Sequence, residues 1–172
     1  AAMTFLQCDA ISCMGISLPM PFLATQFASE YATVPLPFSG LTHWWNDEQK
    51  LVEQGGRSIV YIAPRSDVHV RNKASLSALV FVPLVAMEHA AFRMSRGTVS
   101  ERKIRAALAR SCELQLSNDY HAPLIKALYS CIHTLDALSG CALPDYSDLS
   151  VDDSFIRILI QLLIPEIRQN RI

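Results

Sequence analysis

The sequence predicts an α+β chain, with a β-barrel or sandwich in front and helices behind. Three observations carry this. Short β-branched and aromatic runs recur up to Pro83, separated by Gly, Pro, Asn and Ser turn signals. Beyond Pro83 the apolar spacing lengthens from two residues to a helical period. Between them, Gly56 to Asn72 reads as strand, tight turn, strand.

The front half is read element by element. Ile11 to Leu18 and Phe22 to Phe27 are expected strands, split by Pro19-Met20-Pro21. Thr33 to Phe38 is expected to be an edge or irregular strand, because Pro35 and Pro37 lack the ladder's donor. Ser39-Gly40 then turns the chain. Leu41 to Asn46 is a strand with Trp44 and Trp45 on opposite faces. Asn46-Asp47-Glu48 turns into a strand from Gln49 to Gln54, and Gly55-Gly56 turns into Ile59 to Ile62. Pro64 ends that strand, and Ser66-Asp67 supply turn-forming side chains. Val68-His69-Val70-Arg71 alternates as a half-buried strand does, and Ser77 to Val82 closes the set.

The rear half is helical. A helix is expected from Pro83 to Met94, and Ser100 caps another from Glu101 to about Ala109, where Glu101 and Arg105 lie four apart. Cys112 to Leu116 alternates like one more strand. From Tyr120 to Leu138, Leu124, Leu128, Cys131, Ile132, Leu135 and Leu138 fall on one helical stripe, and Gly140 is placed to end it. The loop from Gly140 to Ser150 is the best linker. Ser150 is the expected cap of the last helix, with Asp152 and Asp153 favouring its N-terminal dipole. That helix is apolar apart from a stripe of Asp153, Arg157 and Gln161. It needs cover from the barrel on one side. The other side needs the preceding helix, a second subunit or a further domain.

Composition narrows the function classes. With 51% hydrophobic and 18% charged residues the chain lies outside the disordered range. Its length fits one domain, or one domain with an appendage; the expected division is 1–83 and 84–172. A net charge of −1 gives the whole chain no electrostatic case for nucleic acid or anionic lipid. Five cysteines, an odd number without Cys-x-x-Cys spacing, suit a reducing cytoplasm. The apolar N-terminal stretch lacks the positive region of a signal peptide, and Ala1-Ala2 ahead of Met3 reads as an expression scar. The run from Ile158 to Ile164 is far short of the about 20 residues that span a membrane.

Pro64-Arg-Ser-Asp-Val-His69 resembles the turn of a cupin barrel, Pro-x-Gly-x-x-His, with Ser66 where Gly is wanted and Asn72 one place early. Taken with Val34 to Gly40, Leu79 to Pro83 and Leu149 to Glu166, the order of motifs resembles the N-terminal effector-binding and dimerisation domain of AraC/XylS-type transcription regulators. The resemblance implies a cupin-like (jelly-roll) barrel holding a small-molecule effector, followed by helices that pair two copies as a homodimer. It also implies sequence-specific DNA binding through C-terminal helix-turn-helix units, which are not in this sequence, so this piece is not expected to bind an operator by itself. The expected location is the cytoplasm, with no membrane partner.

Candidate residues follow. His69 is out of phase with Val68 and Val70, which points it away from their face and into the barrel. It is either a polar group of the pocket or a hydrogen-bonded histidine at a strand end. His43, Trp45, Tyr61 and His69 form the expected pocket set, and Arg57 or Arg71 pairs with an anionic effector or is simply solvated. Leu124, Leu128, Cys131, Ile132 and Leu135 are the expected dimer contact. The cluster Arg93, Arg96, Arg102, Lys103, Arg105 and Arg110, with Glu101 as its single acid, touches a phosphate backbone or an acidic partner, or is a solvated face. No cofactor is expected. A cupin metal site also needs a His-x-His and a Glu, and the region offers only His43. No catalytic residue is expected either: Ser66, Asp67 and His69 are too close in sequence to converge as a triad, and no Gly-x-Ser-x-Gly is present. The alternatives are a metal-dependent cupin enzyme, an isomerase or oxygenase, and a dimerisation domain with a filled barrel.

Overall fold

A computed structural model describes residues 2–7, 11–18, 22–27, 29–139 and 150–169. The breaks expected at Pro19-Met20-Pro21 and at Gly140, and the 140–149 linker, lie outside these. Eight strands form one antiparallel sheet: β1 (Ala2–Gln7), β2 (Ser12–Leu18), β3 (Phe22–Phe27), β4 (Tyr31–Trp45), β5 (Lys50–Gln54), β6 (Ser58–Tyr61), β7 (Val68–Pro83) and β8 (Cys112–Gln115). The order is β1-β2-β7-β4-β5-β6-β8. β3 lies against β7 at Val68–Asn72, and β2 lies further along the same strand, at Ser75–Phe81. β1 was not legible as a strand.

The two longest strands correct the sequence reading. The segments expected as Thr33–Phe38 and Leu41–Asn46 are one strand, β4, and Val68–Arg71 and Ser77–Val82 are one strand, β7. They pair from Tyr31↔Pro83 to Trp45↔His69, with register shifts at Ser39. Ser39-Gly40 is therefore a bulge within a strand and not a turn. Gly40 has φ 89°, and Gly55 packs so close that a Cβ there would sit 2.9 Å from Ser39 Cα.

Ladder alternation explains how β4 carries two prolines inside a sheet. Thr33 exchanges both backbone bonds with Ile62, at 2.9 Å each, so its N–H and C=O face away from β7. Pro35 and Pro37 have the same parity, so their missing donors face that side too. There the Pro37 carbonyl accepts from Tyr129 Oη at 2.7 Å. The Thr33–Ile62 bridge, together with the pairing of β4 with β5 and of β5 with β6, curls the sheet back on itself.

The helices are α1 (Leu84–Ser95), α2 (Glu101–Leu108), α3 (His121–Ser139), α4 (Val151–Leu163) and the short α5 (Glu166–Gln169). Ser100 caps α2 as expected, accepting from the Lys103 N–H at 3.4 Å. Ser150 precedes α4 but makes no side-chain cap bond; φ is 47° there, and Asp152 and Asp153 supply the first turn's negative charge. Besides its own Glu101, the basic cluster is answered by acids from elsewhere in the chain. Arg93 pairs with Asp153, Lys103 with Glu166, and Arg105 with Glu88 and Glu101. These pairs are exposed, so each contributes well under about 1 kcal/mol.

β6 is apolar because it is covered on both faces. Ile59 and Tyr61 point to the helices and join a core that runs through Met87, Ile104, Leu108, Ile125, Leu128, Phe155 and Leu159. Val60 and Ile62 point the other way, into the curl of the sheet. α4 is covered by α3 and α1, so its apolar girth is satisfied within the chain.

The α3 stripe is part of this core. Leu128 is 0% exposed, Leu135 3% and Ile132 5%, while Leu124 and Cys131 are half-buried against the same cluster. Three of the residues expected to meet a second copy, Leu128, Ile132 and Leu135, thus pack inside the protomer, and α3 turns Lys126, Ser130, His133 and Thr134 outward. Leu128→Asp should therefore cost at least about 4 kcal/mol by burying an unpaired charge, with loss of the cooperative thermal transition. Lys126→Ala should change stability by no more than about 0.5 kcal/mol. A cooperatively folded Leu128→Asp monomer would return the stripe to the surface.

Candidate functional site

The pairing of β4, β5 and β7 sets two faces. On the inner face, Trp44, Leu51, Val60, Ile62, Val68 and Val70 fill the curl. One row along, Thr42 lies between Glu53 and Asn72 in register. Asn72 Nδ2 donates to Thr42 Oγ1 at 3.0 Å. Glu53 is 1% exposed; its Oε2 accepts from the Trp44 indole at 2.8 Å and its Oε1 from Ser77 Oγ at 3.0 Å. Burial pushes its carboxyl up from 4.5 to about 7, against the lowering pull of those two hydrogen bonds. Sequence reasoning missed Glu53. The available signal was its phase, two residues from Leu51 on a strand with one buried face.

This inner packing reverses the orientation expected for His69. Val68 and Val70 face the interior, so His69 is turned outward, together with His43, Trp45 and Arg71. These four are brought together all the same. Trp45 is paired with Lys50 on β5 and with His69 on β7; His43 is paired with Val52 and Arg71. The Trp45 and His69 rings stack, with centroids 5.6 Å apart and planes 29° from parallel. His43, Trp45, Lys50, Arg71 and the turn from Asn46 to Gln49 line a depression of about 540 Å³. That turn is held by Asn46 Oδ1, which accepts from the Glu48 and Gln49 N–H groups at 3.0 and 2.9 Å. Burial, then the nearby Lys50, Lys73 and Arg71, push the His43 imidazole below its ordinary value.

Tyr61 is not part of this group. It faces the helices and is fully buried, and its hydroxyl donates to the Leu108 carbonyl at 2.8 Å, joining β6 to the end of α2. Among the described residues no three His, Cys, Asp or Glu side chains converge as a metal site would require. Burial pushes the Cys112 thiol up to about 11, which keeps it protonated at neutral pH. Among the described residues no helix is long and apolar enough to cross a membrane.

No protein-family model matches the sequence, and no curated protein matches it. The crystal structure of the AraC-like transcriptional activator CuxR is similar over 94% of this chain and 54% of that one, at 14% identity and a TM-score of 0.66. This chain therefore spans about half the activator's length. A cupin superfamily protein from Desulfitobacterium hafniense DCB-2 is similar over 48% of this chain and 77% of its own, at 15% identity and a TM-score of 0.38. KdgF from Halomonas sp. is similar over 47% and 76%, at 14% identity and a TM-score of 0.40. The fold is the α+β, cupin-like one.

The buried carboxyl makes a pH prediction. Its folded value lies above its ordinary one, so its contribution to stability is complete below about pH 4.5 and is lost as pH rises through about 7. Glu53→Gln can still accept from Trp44 and can donate to Ser77, whose hydroxyl rotates to receive it. The variant should match the parent near pH 4.5 and exceed it at pH 8 by up to about 3 kcal/mol. Parallel melting curves across this range check it. A constant difference between the two proteins would rule out titration of Glu53.

Proposed function

We propose that this chain is the regulatory, ligand-sensing domain of an AraC-like transcription regulator, without enzymatic activity of its own. The observation that carries the reading is the similarity to an AraC-like activator over 94% of the chain, helices included. The motif order from Val34 to Glu166 supports it. In this reading a small-molecule effector occupies the depression formed by His43, Trp45 and Arg71 beside His69. The partners are a second copy of the chain and DNA, the latter bound through a C-terminal helix-turn-helix domain in the whole regulator.

The fold offers a route from that site to the helices. β4 lines the depression, and its Pro37 carbonyl holds Tyr129 of α3. Tyr61 of β6 holds α2. An effector shifts the helices only if it binds one arrangement of these contacts more tightly than another.

A thermal-shift screen of the purified chain against small metabolites tests the sensing step, because a ligand of the folded form raises its melting temperature by mass action. At least one class of metabolite should raise it in a dose-dependent way. Substrate turnover with stoichiometric bound iron, manganese or zinc would replace this reading with a cupin enzyme.

A further inference from the structure

We propose that the outer depression binds a small anion carrying a flat aromatic ring, with the acid on Arg71 flanked by Lys50 and Lys73 and the ring against Trp45. This rests on reading the depression as the effector site and names the chemistry of the effector. Three cross-strand rows carry the argument. They are Lys50–Trp45–His69, Val52–His43–Arg71 and Gln54–Leu41–Lys73. No Asp or Glu stands in them. Like charges gathered on one sheet face repel one another unless an anion joins them. Lys50, Arg71 and Lys73 are exposed and form no ion pair among the described residues.

Arg71 offers a planar fork for a carboxylate or phosphate. Burial and the surrounding cations push the His43 imidazole beside it downward, which favours a hydrogen bond there over another charge. Trp45 is half-buried and already stacked on His69, so its ring is a fixed platform. Trp45 and Arg71 are diagonal neighbours on adjacent strands, about 7–8 Å apart, within reach of one ring and its acid group. A volume of about 540 Å³ suits a small molecule. The acids at the rim are Asp47 and Glu48 on the turn. Glu113, nearby, is held by the Val52 N–H and the Gln115 amide. An acidic rim disfavours a polyphosphate chain and leaves room for a single anion.

The test is calorimetric titration of the intact chain at low salt with 2-naphthoate and with AMP. Cyclohexanecarboxylate and inorganic phosphate serve as counterparts without aromatic rings, and a thymidine oligonucleotide as the polymer. At least one ring-bearing anion should bind about tenfold or more tightly than its counterpart. Arg71→Gln and Trp45→Leu should each weaken that binding by about tenfold or more while the chain still melts cooperatively, and Lys73→Gln should weaken it less. Naphthoate binding alone identifies a carboxylate site, and AMP binding alone a phosphate site. The inference fails if neither ring-bearing anion binds more tightly than its counterpart, if Arg71→Gln is without effect, or if the oligonucleotide binds more tightly than AMP. A neutral metabolite that stabilises the chain while both ring-bearing anions fail would sink this inference and leave the regulatory reading in place.

Discussion

The ladder between β4 and β7 is the constraint on which the rest of the molecule depends. It runs nearly the whole length of both strands, and β2, β3 and β5 attach to it. Side chains on a strand alternate with a period of two, so one choice of phase assigns every residue of the central strands to a face. Placing Trp44 inward places Thr42, Glu53, Val70 and Asn72 inward as well. The same choice sends Trp45, His43, His69 and Arg71 outward. The bulge around Ser39 lets the strand bend without breaking the ladder, and Gly40 and Gly55 allow the close approach there.

The curl leaves β6 between two apolar layers. Its four residues are all buried, with alternate ones serving the barrel interior and the helical core. Barrel and helices therefore share their packing along one strand, although the chain order suggests a front part and a rear part. β8 reinforces this, because a strand from the rear half pairs with β6 along its whole length. Interiors packed this closely transmit displacement, since a shift of one face of β6 cannot leave the other unmoved.

Glu53 is the one carboxyl among the described residues that is fully buried, and its position explains how the sheet tolerates it. The two donors aimed at it come from the adjacent β4, through Trp44, and from β7 on the far side of β4, through Ser77. A carboxyl with two donors is satisfied as a hydrogen-bonding group, yet it still resists ionisation where water is excluded. The nearby Tyr129 phenol, which burial and then Glu53 push upward, stays neutral and bonds the Pro37 carbonyl. The polar row therefore knits β4, β5 and β7 to one another at the level where α3 crosses.

The sequence by itself determined most of the element types, the α+β class and the resemblance behind the regulatory reading. Period, turn residues and caps act locally, so Ser100 before α2 and Pro83 at the end of β7 could be read directly. It also placed His43 and Trp45 on one face by their alternation and set them with Tyr61 and His69 as a pocket, with Arg71 beside them. Only the tertiary structure decided which face that was: alternation defines two faces and does not say which one water reaches. The same limit applies to the α3 stripe, since an apolar face requires cover without naming its source. Here the source is the chain itself, through α4 and the sheet. Tyr61, apolar in its surroundings on both sides, carried no phase signal at all, and only the position of α2 fixed its hydroxyl on Leu108.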